Sequence, residues 1–290
     1  MVIGDALIDE IVTLDGTSEF VGGAALNVAV GLSILGVSTS LIAMVGDDAD
    51  GDTIRAFLHA HNVTLIASPA PLGSARASSV RTNGEPSYSF NAAALARRIQ
   101  FTSDGLAALA AATLVLVSSF PFDDPTQAAA LRASVAFPRD RLVVDVNPRG
   151  ALLKNPLVFR EEFEATARSA RLVKIGDEDA GLLYQQSPDE VASRLLTHGA
   201  ATIFSTFGRE GAAIRTAEGL TIRRPITELA GDIIDTMGAG DATLASIAAS
   251  MLELPPKPSE EQWGAALDNA MFLAAATCRV AGATLPLVHP

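Results

Sequence analysis

A glycine-rich segment that ends in an aspartate is the strongest candidate for chemistry in this chain. It reads Asp-Thr-Met-Gly-Ala-Gly-Asp over residues 235–241 and precedes a run of small and apolar residues at 242–252. The small residues Gly238, Ala239 and Gly240 predict a turn that opens a helix, where unpaired N–H groups and the positive end of the helix dipole meet. Such a turn binds phosphate groups well.

Asp241 falls in the first turn of this predicted helix, and its position has two interpretations. The carboxylate could simply complement the helix dipole. Alternatively, it could accept a proton from a hydroxyl group that attacks a phosphoryl group held by the neighbouring N–H groups. In the second case the anion site and the general base form one unit. The spacing alone is compatible with both interpretations.

Other nucleotide-binding motifs are absent or weak. The three lysines, Lys154, Lys174 and Lys257, are followed by Asn, Ile and Pro, so the chain has no Gly-Lys-[Ser/Thr] phosphate loop. No Gly-x-Gly-x-x-Gly pattern occurs either. The segment 206–211, Thr-Phe-Gly-Arg-Glu-Gly, follows a predicted strand. It is consistent with a glycine turn approached by a ligand and equally with a plain hairpin.

Two polar residues stand out near the N-terminus. Gly22 and Gly23 precede a predicted apolar helix that contains Asn27. A buried amide needs hydrogen-bond partners, so Asn27 is either a satisfied core residue or a ligand for a polyol. Asp9, which ends the first apolar segment, is likewise either a loop carboxylate or an acceptor for a hydroxyl group.

The elements that must position these residues follow an alternating pattern. Short continuous apolar runs predict strands buried on both faces of a sheet, at residues 41–45, 114–117, 142–144, 172–175 and 202–205. Amphipathic segments between them predict helices near residues 50–62, 125–136 and 161–170. This alternation is typical of an α/β fold whose mainly parallel sheet carries helices on both sides.

Residues 74–90 break this pattern. The dipeptide Asn83-Gly84 lies between β-prone segments rich in small polar residues, which predicts a hairpin. A polar hairpin inserted into an α/β fold is poorly suited to the core. We therefore expect either a surface feature or a lid over a site at the edge of the sheet.

Composition excludes several classes of protein. The chain has 290 residues, of which 49% are hydrophobic and 19% charged, so neither a disordered nor a fibrous protein is expected. The net charge of −12 and the lack of a basic patch argue against nucleic-acid binding. The single cysteine, Cys278, excludes an internal disulfide and fits a cytoplasmic location.

One uncharged run is long enough to suggest a membrane span. Residues 20–46 carry no charge. Several glycines, Asn27 and the polar cluster at 38–40 interrupt this run, however. We therefore expect a loop, a buried helix near 24–35 and a buried strand near 39–46, and no contact with a membrane.

Together these residues resemble the ribokinase/PfkB family of sugar kinases over essentially the whole chain. Two signatures carry the resemblance: residues 22–27 continuing through 45–51, and residues 235–241. It implies a single three-layer αβα ribokinase-like domain over 1–290, with a mainly parallel central sheet. It also implies a small β lid formed by about residues 10–20 and 73–91.

The resemblance also implies roles for individual residues. Asp241 would be the catalytic base, and the amides of Gly238, Ala239 and Gly240 would form the anion hole. The sugar would contact a set of N-terminal and central residues: Asp9, Gly22, Gly23, Asn27, Asn147 and Arg149. ATP would contact residues of the C-terminal half: Lys174, Thr206, Gly208, Gly211 and Asn269.

The implied metal sites are less regular. An Asn-x-x-Glu motif, which organises Mg²⁺ through water in the family, falls on residues 176–179, where Asn is lost and Glu is shortened to Asp. Asp177 and Asp179 become the candidates for the Mg²⁺ shell. Asp235 and the turn at Gly282 and Ala283 fit the family's monovalent-cation site, with K⁺ as a candidate. The altered motif leaves a catalytically silent sugar- or nucleotide-binding relative as an alternative.

The resemblance ranks the possible substrates and implies a homodimer. The segment 4–9 is similar to the Gly-Glu-Ala-Leu-Ile-Asp opening of fructokinases, and 145–149 resembles their Asp-x-Asn-x-Arg, so fructose is expected first. Arg149 could instead pair with a substrate carboxylate, which places 2-keto-3-deoxygluconate second. Ribose and nucleosides are further alternatives, although 15 aromatic residues provide little material for stacking a base. The homodimer would form through the lids.

Overall fold

The computed structural model describes residues 1–13, 16–82, 85–137 and 139–285. The strands are β1 (Val2–Gly4), β2 (Leu7–Thr13), β3 (Gly16–Gly22), β4 (Thr39–Met44), β5 (Val63–Ser68), β6 (Ala75–Thr82), β7 (Glu85–Phe90), β8 (Val115–Ser118), β9 (Leu142–Asp145), β10 (Leu172–Gly176), β11 (Thr202–Thr206), β12 (Ala212–Thr216) and β13 (Thr221–Arg224). The helices are α1 (Ala24–Ile34), α2 (Ala49–Ala60), α3 (Ala92–Leu95), α4 (Ser103–Ala111), α5 (Pro125–Ser134), α6 (Pro156–Ala167), α7 (Asp177–Tyr184), α8 (Pro188–Thr197), α9 (Ala239–Glu253) and α10 (Glu260–Thr277).

A nine-stranded sheet forms the centre of the fold, in the order β13-β12-β11-β10-β9-β8-β1-β4-β5. Pairing is parallel from β11 to β5 and antiparallel only at β12 and β13. Adjacent residues of a strand belong to different core clusters: Val143 packs with α1, α9 and α10, whereas Val144 packs with α5 and α6. Alternation of side chains across the strands therefore buries both faces of the sheet, which confirms the predicted three layers.

A second sheet of four strands has the order β3-β2-β6-β7. Strands β6 and β7 pair antiparallel up to Thr82 and Glu85, as expected for the predicted hairpin, and the turn residues Asn83 and Gly84 lie outside the described residues. Strand β2 adds in parallel to β6, and β3 pairs with β2. Asp9 therefore lies in a strand and not in a loop. The role of this sheet as a lid stays a prediction.

The uncharged run at residues 20–46 divides into three elements. It contains the end of β3, the whole of α1 and the strand β4. Helix α1 is buried on almost every side because it lies between the central sheet and α9. Within the described ranges, no helix combines the length and the apolar character needed to cross a membrane.

Asp48 joins the second sheet to the central domain. Its Oδ1 accepts hydrogen bonds from the backbone N–H of Gly51 (2.8 Å), at the start of α2, and from the Ser74 hydroxyl (2.7 Å). Its Oδ2 accepts one from the backbone N–H of Ser74 (2.7 Å), directly before β6. These bonds, led by that of the Ser74 hydroxyl, lower the pKa of Asp48. One carboxylate thus caps α2 and holds the backbone that leads into β6.

We expect Asp48→Ala to lower the free energy of unfolding by about 1–2 kcal/mol, because the helix loses its N-cap. Asp48→Asn keeps an acceptor at the cap and should lose less. Urea unfolding of the two variants and the unsubstituted protein measures both differences. An alanine variant as stable as the asparagine variant would show that the cap contributes little.

Candidate active site at the carboxyl edge of the sheet

Helix α9 begins at the predicted turn. Gly238 is its N-cap residue with φ +75°, a left-handed conformation that favours glycine. A Cβ atom at this position would also collide with the carbonyl oxygen of Ala283. The turn therefore requires glycine for two reasons. Asp241 follows in the first turn of α9, as the spacing predicts, and its side chain is buried.

Asp241 meets a residue that is distant in sequence. The amide Nδ2 of Asn27, in α1, donates a hydrogen bond of 2.8 Å to Oδ2 of Asp241. Burial raises the pKa of Asp241 to about 7, although the Asn27 hydrogen bond and the charge of Arg149 act to lower it. A carboxyl group with this pKa can accept a proton near neutral pH. The Oδ1 atom of Asn27 is buried with no partner among the described residues.

A cleft of about 470 Å³ opens beside Asp241. The predicted sugar residues that line it are Asp9, Gly23, Asn27, Asn147 and Arg149, together with Gly238 and Asp241. Gly22 lies just behind Asp9, whose carboxylate fills the space that a Cβ atom on Gly22 would need. The structure thus brings the two signatures of the sequence together around one cavity.

Several lining residues escaped the sequence analysis. The main ones are Asp5, Leu7, Phe90, Leu152, Glu178 and Met237. Asp5 directly follows β1, and its Oδ1 accepts a hydrogen bond from the backbone N–H of Ala25 (3.0 Å) at the start of α1. An acidic residue directly after a buried strand was a signal that could have identified it, because the carboxyl ends of parallel strands surround ligand sites.

Among the described residues that line the cleft, Arg149 is the one cation, and it lies among several carboxyl groups. Burial raises the pKa of Asp9 to about 6, while Arg149 acts to lower it. Desolvation acts to lower the pKa of Arg149, but neighbouring carboxylates, first Asp5 and then Asp241, raise it overall. Arg149 has no carboxylate within ion-pair distance among the described residues. Its guanidinium group therefore remains available to a ligand.

Lys174 lies behind the first turn of α9. Its Nζ is 2.8 Å from Oδ1 of Asp145, and both side chains are buried. The hydroxyl of Ser118 donates to the other oxygen of Asp145 (2.7 Å). Nζ also lies 3.8 Å from the place that a Cβ atom on Gly240 would occupy. Desolvation acts to lower the pKa of Lys174, but Asp145 raises it overall, so the lysine stays charged. Its contact with ATP stays a prediction.

The predicted nucleotide loop, residues 206–211, connects β11 and β12, which pair antiparallel. The segment is therefore a hairpin whose connection is also a glycine turn. Gly208 and Gly211 have positive φ values of 51° and 97°. Asp177 faces Gly208, with Oδ2 3.4 Å from the position of a Cβ atom there. Asn269 is exposed on α10, which packs against β12 and β13. Contact of these residues with ATP stays a prediction.

The candidate metal ligands do not form a closed site. Asp177 is exposed, and Oδ2 of Asp179 accepts a hydrogen bond of 2.8 Å from the N–H of Gly176. Burial raises the pKa of Asp179 to about 6, against the effect of Lys174. No group of three His, Cys, Asp or Glu side chains in the described part of the chain could hold a metal ion. One or two carboxylates nevertheless suit Mg²⁺ that is also held by waters and phosphates.

Asp235, the candidate for the monovalent cation, lies just before the turn that opens α9. Its Oδ1 accepts a hydrogen bond of 3.0 Å from the N–H of Met237. The carbonyl of Ala283 approaches the same turn, against Gly238. A carboxylate and a carbonyl oxygen at one turn are donors that K⁺ could use, and the site stays a prediction.

Comparison with known proteins relates the chain to carbohydrate kinases. The family described as pfkB family carbohydrate kinase matches residues 1–289. A fructokinase from Rhizobium leguminosarum bv. trifolii is 30% identical over 264 residues, which cover 86% of this chain and 78% of that protein. An ATP-dependent 6-phosphofructokinase from Thermoanaerobacterium thermosaccharolyticum is 23% identical over 254 residues, covering 83% and 78%. The crystal structure of a fructokinase from Xylella fastidiosa with bound ATP has a TM-score of 0.82 at 22% identity, covering 98% and 93%.

Proposed function

The chain belongs to the pfkB family of carbohydrate kinases, and on that premise we propose that it transfers the γ-phosphoryl group of ATP to a primary hydroxyl group of a small sugar. The observation that carries the proposal is the position of Asp241. Its carboxyl group has a pKa of about 7 and lies at the N-terminus of a helix, on the wall of a cleft. A base and an anion site therefore meet at one place.

Each of several residues around the cleft has a separate role in the proposed reaction. Asn27 donates to Asp241 and has a free carbonyl oxygen, so it can orient a sugar hydroxyl while it holds the base. Asp241 takes the proton of the attacking hydroxyl group. The N–H groups at 238–240 stabilise the charge of the transferred phosphoryl group, and the buried Lys174 lies directly behind them. Mg²⁺, with Asp177 and Asp179 nearby, would neutralise the phosphates.

Fructose is the first candidate substrate. A relative named as a fructokinase is 30% identical over 86% of the chain, which supports this choice. An acidic sugar such as 2-keto-3-deoxygluconate is the second candidate, because the unpaired guanidinium group of Arg149 faces the cleft. ATP as phosphoryl donor is supported by the relative named as an ATP-dependent kinase.

An assay of ATP consumption tests the proposal. The purified protein is incubated with Mg²⁺, ATP and one sugar at a time: fructose, ribose, 2-keto-3-deoxygluconate or a nucleoside. We expect turnover that depends on both the sugar and Mg²⁺. Tight binding of a sugar without any turnover would instead favour a silent binding protein.

The pH dependence of the rate should follow Asp241. Because only the ionised carboxylate can accept a proton, kcat/KM should fall as the pH decreases through about 7, the pKa of this group. Asn27→Ala removes a hydrogen bond that lowers this pKa, so the midpoint should move to higher pH. Profiles of both proteins measure the shift. A midpoint that follows Asp9→Asn and ignores Asn27→Ala would assign the titration to Asp9.

A further inference from the structure

The second sheet lies between the sugar cleft and helix α2. Asp9 in β2 and Ala77 in β6 line the cleft. Side chains alternate along a strand, so the residues next to these two point to the opposite face. Ile8, on that opposite face, belongs to the same core cluster as Ile54 and Leu58 of α2. Helix α2, which contacts β2 and β3, therefore packs against the back of the sheet whose front forms a wall of the cleft.

Arg76 joins the back of this sheet to α2. Its Nε and Nη2 donate to the two carboxylate oxygens of Asp50, in the first turn of α2, at 2.5 and 3.0 Å. Nη2 also donates to Oε1 of Glu19 in β3 (2.8 Å), and Nη1 lies 3.9 Å from Oε1 of Glu10 in β2. One side chain of β6 thus contacts two other strands of the second sheet and a helix of the central domain.

The negative charges on this face depend on Arg76. Glu10 and Glu19 are direct cross-strand partners, and like charges in such a pair destabilise a sheet. In the described part of the chain, Arg76 is the only cation within ion-pair distance of Glu10, Glu19 or Asp50. Hydrogen bonds to Asp50 and then to Glu19 raise the pKa of Arg76, so its guanidinium group stays charged. The hydroxyl of Ser78 donates to the second oxygen of Glu10 (2.7 Å).

The backbone of Arg76 is held in place as well. Its N–H donates to Oδ1 of Asn91 (3.1 Å), and its carbonyl oxygen accepts from the N–H of Asn91 (3.1 Å). The side chain of Asn91 also caps α3. In the register of the sheet, the residue that follows Arg76 is Ala77, and Ala77 is the partner of Asp9 in β2. A shift of β6 relative to α2 would therefore move the strand that carries Asp9.

We infer that Arg76 is a positioning residue for the sugar: by tying the back of the second sheet to α2, it sets where the carboxylate of Asp9 lies in the cleft. The inference rests on the proposed kinase function and adds to it a residue that contacts neither the sugar nor ATP. Arg76 is not among the described residues that line the cleft. Its loss should weaken sugar binding through Asp9 and leave the transfer step at Asp241 unchanged.

Kinetics with the best sugar of the panel test the inference. Arg76→Met should raise KM for the sugar about threefold to tenfold, the scale of several partly exposed charge pairs that act together. The values of kcat and of KM for ATP should stay nearly unchanged, because the lost interaction positions the sugar in the ground state and in the transition state alike. Arg76→Lys keeps the charge without the paired donors and should retain part of the sugar affinity.

Two variants of α2 form a matched pair. Asp50→Ala breaks the link between Arg76 and α2 and should raise KM for the sugar. Asp52→Ala removes a charge from the same helix turn, but Asp52 is exposed and pairs with Arg55, so KM should not change. An equal effect of the two substitutions would contradict the inference and leave the kinase proposal intact.

A double-mutant cycle shows whether Arg76 acts through Asp9. In an Asp9→Ala background, Arg76→Met should lower kcat/KM for the sugar by a much smaller factor than in the unsubstituted protein, because the positioned group is already absent. Equal factors in both backgrounds, or a loss of kcat in Arg76→Met as large as the rise in KM, would overturn the inference.

Failure of the kinase proposal gives a different result. If no sugar is turned over, calorimetric titration with fructose and the other sugars of the panel replaces KM by Kd. Weaker binding to Asp50→Ala than to Asp52→Ala would then support the positioning role, and equal binding would refute it. Urea unfolding identifies a variant that fails to fold. If Arg76→Met is such a variant, the comparison of Asp50→Ala with Asp52→Ala decides.

Discussion

Replacing Asp241 by asparagine should lower kcat for sugar phosphorylation by about two to four orders of magnitude, because the attacking hydroxyl group loses its proton acceptor. The amide has nearly the same shape as the carboxyl group and can still contact Asn27. ATP affinity should therefore change little. Steady-state kinetics with the best sugar of the panel, together with a nucleotide-binding titration, measure the two quantities separately.

The free energy of unfolding of the Asp241→Asn variant provides a control, because it should not fall when kcat falls. The folded protein raises the pKa of Asp241 from 3.8 to about 7, so between these values the folded state binds the proton more tightly than the unfolded state. The carboxyl group therefore contributes less stability as the pH rises from about 4 to 7. At pH 8 the asparagine variant should be at least as stable as the unsubstituted protein in urea unfolding. A slow and stable variant cannot be explained by misfolding.

Asp9→Asn is the matched comparison, since Asp9 is another carboxyl group of the same cleft, half-buried and with a raised pKa. We expect a higher KM for the sugar and a much smaller change in kcat than for Asp241→Asn. If the two variants lose kcat equally, or if Asp241→Asn turns over at a near-normal rate, Asp241 is not the base.

The central strands could be predicted because they are buried on both faces. Continuous apolar runs such as those of β8 and β9 need no tertiary information. Edge strands carry a weaker signal: β13 reads Thr-Ile-Arg-Arg, with one buried residue, and β3 is mostly exposed. These short polar strands form because neighbours provide hydrogen bonds, and the sequence alone does not show the neighbours.

The candidate site likewise has one part that the sequence predicts and one part that it does not. The glycines at 238 and 240 indicate the turn and the helix start locally, so Asp241 could be placed from the sequence. The partner of Asp241 is Asn27, more than two hundred residues away, and this contact depends on how α1 packs against α9. Contacts between distant elements follow from the topology, which local patterns do not contain.

The register of the sheet explains why the sequence analysis missed the ion pair between Lys174 and Asp145. Lys174 of β10 is the direct partner of Asp145 of β9, and both side chains point to the same face. The pair is buried at the carboxyl edge of the sheet, against Gly240. A lysine that looked isolated in the sequence is thus one half of an ion pair behind the proposed anion hole.

Lys174→Met should lower the free energy of unfolding by about 3–5 kcal/mol, because it leaves the carboxylate of Asp145 buried without its counter-charge. Urea unfolding at neutral pH measures the loss. The double variant Lys174→Met/Asp145→Asn removes both charges while the amide can still accept from Ser118, so it should regain most of the stability.

The double variant also separates stability from catalysis. Because it lacks the positive charge behind Gly240, its kcat should remain below that of the unsubstituted protein even though its fold is restored. Asp145→Asn alone keeps the lysine and should lose less kcat than the double variant. Equal stability of Lys174→Met and the double variant would show that the unpaired carboxylate is not the source of the loss. Full kcat in the double variant would exclude Lys174 from stabilising the transferred phosphoryl group.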